Sequence, residues 1–101
     1  MQTDSAPRVP PELLQLRDSI DRIDEDILNS LAHRFEVTMQ VGRLKAAHGL
    51  DSVDPVREQE KLARLCQMAE QKGLDSRFVH QLFQCLFDEV VRNHRTFLDE
   101  A

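Results

Sequence analysis

Three cations sit where an apolar helical stripe should continue. Arg34, Thr38, Val41 and Lys45 recur at spacings of three and four, so at 100° per residue they share one side of a helix. Arg34 and Lys45 are about 16 Å apart along such an axis. Two long side chains leaning together can hold one small dianion between them. They can equally snorkel from a partly buried face. Arg17 lies about 25 Å before Arg34 and is turned by roughly 100°, so it cannot reach the same small ligand within one chain. An antiparallel second copy would bring its Arg17 to the Arg34–Lys45 site and give two equal sites per symmetric dimer. A solvated surface charge is the other reading of Arg17.

A third group is Asp54, Arg57 and Glu58. Asp54-Pro55 marks a helix start, with Asp54 as cap and Pro55 in the first turn. Arg57 is electrostatically misplaced at a helix N-terminus, where cations are disfavoured, and a nearby anion would offset that. Glu58 is favourable there on dipole grounds alone and can also accept a hydrogen bond from a ligand hydroxyl. His33, His48, His80 and His94 lack metal-ligand spacing, and no phosphate loop or nucleophile elbow occurs. Cations with one carboxylate and no nucleophile suit binding and electrostatic stabilisation rather than covalent catalysis.

The elements that must position these groups read as all-α. Leu13 to about His48 forms one long helix, with Leu16, Ile20, Ile23, Ile27, Leu31 and Phe35 spaced three or four apart. Such a helix is roughly 50 Å long. A compact chain of this size has a radius of gyration of only about 13 Å. A single copy cannot cover the stripe, so a second copy packed along it is expected. Gly49 should end this helix. A short second helix should run from Pro55 to about Gln71, with Val56, Leu62, Leu65, Cys66 and Ala69 on its apolar side. Gly73 should stop it, with Leu74 folding back on the last turn. Asp75 or Ser76 should cap a medium third helix. Its broad apolar face carries Phe78, Val79, Leu82, Phe83, Leu86, Phe87, Val90, Val91, Phe97 and Leu98, and His94 lies on that face.

At 101 residues the chain suggests one domain, with residues 1–11 as a frayed tail and 12–101 as the helical domain. Pro11 can serve as the first helical residue. The net charge of −5 argues against nucleic acid or an anionic membrane as partner. Without tryptophan or tyrosine, stacking platforms for single strands are missing. Cys66 and Cys85 read as buried free thiols, and the N-terminus lacks a long apolar run. A cytoplasmic setting is expected.

The stretches LQLRDSIDRIDEDIL, LAHRFEVTMQVGRLKAAHG, DPVREQEKL and GLDSRFVHQLFQCLFDEVVRNH together resemble the all-helical chorismate mutases of the shikimate pathway. The resemblance runs from Leu13 to about Leu98. It implies an intertwined homodimer of three-helix chains, with no cofactor and no metal. It implies that Arg17 of the partner subunit and Arg34 bind the substrate carboxylates. Lys45 would touch a carboxylate and the ether oxygen of the breaking bond. Glu58 would accept the ring hydroxyl, with Asp54 and Arg57 lining that end. The chain departs from the family pattern at two positions. His94 stands where Gln or Glu commonly donates to the ether oxygen, and Val90 stands where some members have a hydroxyl residue near a carboxylate.

Chorismate to prephenate is therefore the expected reaction. Isochorismate pyruvate-lyase and 4-amino-4-deoxychorismate mutase share the implied fold and cationic pocket. A non-enzymatic alternative is a helical dimer that needs a larger pathway enzyme for activity.

Overall fold

The computed structural model describes residues 8–51 and 53–100, with side chains in the last stretch through Arg95. Residues 1–7 of the expected 1–11 tail and the side chains of Phe97 and Leu98 lie outside the described residues. Three helices follow in order, α1 Pro11–Ala47, α2 Pro55–Gln71 and α3 Ser76–Glu100. Among the described residues there is no strand.

Each boundary has a local cause. Proline at the first position of α1 and of α2 lacks an N–H that the helix could not use there. The Asp54 carboxylate accepts the Arg57 backbone N–H at 3.2 Å. Of the two candidate caps for α3, Asp75 is the one used, and its carboxylate accepts the Arg77 N–H at 2.8 Å. Both stops are Schellman turns. Gly49 and Gly73 take φ of 65° and 73°, the left-handed region that glycine enters without steric cost. Beyond them, the Leu50 N–H donates to the Lys45 carbonyl and the Leu74 N–H to the Ala69 carbonyl, each at 2.8 Å.

Contacts within the chain fall into two units that meet between Arg34 and Phe35. In the first, the stripe of Leu16, Ile20, Ile23 and Ile27 is more than half exposed at every position. In the second, α2 packs on α3 and buries Leu62, Ala69, Val79 and Phe87. Phe83 meets Phe87 edge to face at 6.4 Å between ring centroids. The Lys61 ammonium lies 5.9 Å from the Phe87 centroid, a cation over an aromatic face. The last turns of α1 join this unit, where Gly42 is buried against the His94 ring.

Several apolar positions differ from expectation. Val56, Phe78 and Leu82 are exposed, and Leu74 remains exposed although its backbone closes the turn. The apolar face of α3 is wider than one short helix can cover, so only its central strip is buried. For the same reason the thiols are not both buried. Cys66 is half-buried, with its thiol directed at the Ser76 carbonyl 3.6 Å away, and Cys85 is exposed; both are free. Among the described residues, no helix is long and apolar enough to cross a membrane.

Candidate active site

The candidate residues divide between the two units. In the first, Arg17 is exposed in the second turn of α1, and Arg34 is half-buried in the C-terminal half of the same helix. Burial lowers the Arg34 guanidinium below the ordinary arginine range, because leaving water disfavours the charged form. It remains a cation at any working pH.

The second unit holds Lys45, Asp54, Arg57, Glu58, Val90 and His94. Lys45 is half-buried in the last turn of α1, where the helix dipole favours a cation. Asp54 and Arg57 are exposed, and the bond recorded between them is the backbone cap. Glu58 is half-buried in the first turn of α2. It lines a cleft of about 330 Å³ together with Val53 and, from α3, Asp88, Val91, Arg92 and Arg95. Val90 is half-buried one position from this face.

His94 is 4% exposed. Its Nε2 lies 2.7 Å from the Thr38 backbone oxygen, and a carbonyl only accepts, so Nε2 carries the proton. Nδ1 is buried and, among the described residues, has no hydrogen-bond partner. In the neutral ring Nδ1 therefore offers a lone pair, and it donates only when the ring is protonated. Gly42 permits this placement, since a Cβ there would come within 2.9 Å of Nε2 and still closer to the ring carbon Cδ2.

Sequence reasoning did not single out Arg92, Arg95 and Asp88 as neighbours of Glu58. The signal was present, since positions 88, 91, 92 and 95 follow a helical face at steps of three and four. Gly42 likewise stands out as the glycine inside an otherwise unbroken helix, four residues past Thr38 and three before Lys45. Among the described residues no three or more His, Cys, Asp and Glu side chains gather as a metal site would require.

The comparisons with known proteins fall on this same span. The family model for chorismate mutase type II matches residues 16–95. A bifunctional chorismate mutase/prephenate dehydratase of Escherichia coli strain K12 is 32% identical over 88 residues, covering 87% of this chain and 23% of the relative. A T-protein of Enterobacter agglomerans is 35% identical over 78 residues, covering 77% of this chain and 21% of the relative. A 4-amino-4-deoxychorismate mutase of Streptomyces venezuelae is 28% identical over 81 residues, covering 80% of this chain and 79% of the relative. The chain thus spans less than a quarter of the length of the first two relatives. With the family model covering most of its length and every candidate residue from Arg17 to His94, the chain belongs to the chorismate mutase type II family.

Proposed function

We propose that residues 12–101 form a chorismate mutase domain that converts chorismate to prephenate as a homodimer. One carbon–oxygen bond breaks as one carbon–carbon bond forms within a single molecule, so neither nucleophile nor cofactor is required. The protein must select the compact conformer in which the enolpyruvyl side chain lies over the ring. Holding reacting atoms in place in this way removes several kcal/mol of barrier. Arg34 and Arg17 of the partner subunit would fix the two carboxylates. The Lys45 ammonium would stand at the ether oxygen, where negative charge develops, and so bind the transition state more tightly than the ground state. Glu58 would accept the ring hydroxyl, with Asp54 and Arg57 at that end. His94 would supply a second donor to the ether oxygen through Nδ1.

The observation that carries this reading is that one family match encloses every one of these cation and carboxylate positions. The exposed stripe Leu16–Ile20–Ile23–Ile27 supports the dimer, because four adjacent large side chains left in water favour association. Purified protein should consume chorismate and release prephenate, and Arg34→Ala should lose at least about a hundredfold in kcat/KM, the scale of one electrostatic transition-state contact. No turnover by the wild type alone or with a larger pathway enzyme would end the proposal.

A second reading has its own support. The Streptomyces venezuelae relative matches over most of its length and is named as a mutase of the 4-amino analogue. Glu58 would then face an ammonium instead of a hydroxyl. Comparing kcat/KM for the two substrates decides between them.

A further inference from the structure

The His94 ring meets α1 along one edge. Cδ2 and Nε2 lie on the bare backbone at Gly42, and Nε2 donates to the Thr38 carbonyl at 2.7 Å, one turn earlier. Nδ1 is bonded to neither of these ring atoms and sits on the far side of the ring. It is buried and, among the described residues, without a hydrogen-bond partner. A histidine serving the core alone would use both nitrogens, because a buried polar atom left unpaired is costly. Two neighbours that could have paired with Nδ1 do not. The Thr38 hydroxyl donates to the Phe35 carbonyl at 3.1 Å. Val90, one turn before His94 on α3, has no polar side-chain atom. Lys45 lies three residues past Gly42, so one face of α1 carries both the seat of the ring and the ammonium.

We infer that Gly42 is a positioning residue for the rearrangement: by leaving room for the His94 ring on the α1 face that carries Lys45, it turns Nδ1 away from the helix and toward the ether oxygen. This rests on the chorismate mutase reading. Gly42 acts through His94 and makes no substrate contact of its own. An added Cβ would fall inside contact distance of Cδ2, Nε2 and Cγ together, so the ring would have to leave Thr38, and Nδ1 would swing with it. The two departures from the family pattern then belong together. A hydroxyl at position 90 could reach Nδ1 from one turn away, whereas Val90 leaves that nitrogen for a ligand.

Steady-state kinetics with chorismate tests the assignment on the full chain, at a temperature where circular dichroism shows each variant folded. Gly42→Ala should lower kcat at least about tenfold with KM within a factor of about three, the pattern of a contact made only in the transition state. Alanine is the better helix former, so a weaker α1 is not the cause. In a His94→Ala background the same substitution should change kcat by less than about twofold, because the group it displaces is gone. A purely structural role would lower kcat in both backgrounds alike. A second measurement needs no variant and decides the matter should Gly42→Ala not fold. In nitrogen-15 NMR of the wild type, an unreactive bicyclic ether dicarboxylate shaped like the transition state should shift His94 Nδ1 while Nε2 keeps its proton on Thr38. With the wild type active, any of three results overturns this assignment alone: an unchanged kcat in folded Gly42→Ala, an equal loss in the His94→Ala background, or a bound state in which Nδ1 does not respond or the ring has left Thr38. A wild type that leaves chorismate untouched overturns the mutase reading and this one with it.

Discussion

The His94 Nε2–H donates to the backbone carbonyl of Thr38 at 2.7 Å, so a buried ring on α3 is anchored to the main chain of α1. Two consequences follow for the neutral ring: the proton is on Nε2, and Nδ1 is an acceptor. Nitrogen-15 NMR of labelled protein at alkaline pH should show the Nε2–H tautomer for His94, and an Nδ1–H pattern would contradict the bond. If Nδ1 donates to the ether oxygen, the working form is the imidazolium. His94→Ala, which removes the donor, should lower kcat/KM at least about tenfold, whereas His94→Gln, whose amide always donates, should recover part of it.

Gly42→Ala should cost about 1–3 kcal/mol in urea unfolding, because the new methyl falls on the His94 ring. The ring cannot retreat without breaking its bond to Thr38. The cost should shrink when His94→Ala is added, since the obstacle is then gone. The double-mutant cycle should show coupling well above the few tenths expected of independent sites. Additive costs would mean that the close approach has no energetic weight.

Asp54 has a structural duty and a proposed ligand duty, and substitution separates them. Asn caps about as well as Asp, so Asp54→Asn should keep stability within a few tenths of a kcal/mol, whereas Asp54→Ala should lose about 1 kcal/mol. If the carboxylate also lines the substrate end, Asp54→Asn should raise KM for chorismate while the melting temperature holds. An unchanged KM would leave the cap as its whole role.

These residues also mark how far the sequence could be read. The caps at Asp54 and Asp75 and the turns at Gly49 and Gly73 are local chemistry, and they stand where the residue types put them. Periodicity identified the apolar faces but not their coverage. Val56 and Phe78 belong to the right stripe yet lie beyond the strip where α2 and α3 meet. Charges on α3 were the harder case. Arg92 and Arg95 have the spacing of a solvated face, and a cleft differs from a solvated face only through the neighbouring helix that closes it. His94 was legible as a residue on the apolar face, but its bond to a backbone atom 56 positions away was not.

The long first helix raises the last question, whether a complete pocket needs two chains. Arg17 is exposed on a unit whose apolar stripe is also exposed, and Lys45 lies in the other unit. If the proposed dimer shares its sites, Arg17→Ala chains and Lys45→Ala chains should each be nearly inactive as homodimers. Mixed and reassociated, half of the molecules in a random mixture are heterodimers. Each heterodimer has one pocket carrying both defects and one carrying neither. Activity should therefore return to about a quarter of the wild-type value per chain, counting one intact pocket in two for half of the dimers. Sedimentation of Ile23→Asp, which puts a charge in the middle of the exposed stripe, should show monomers with no turnover. If the mixture stays inactive although heterodimers are shown to form, Arg17 is acting in its own chain or not at all; if the Ile23→Asp monomer is fully active, no partner is needed.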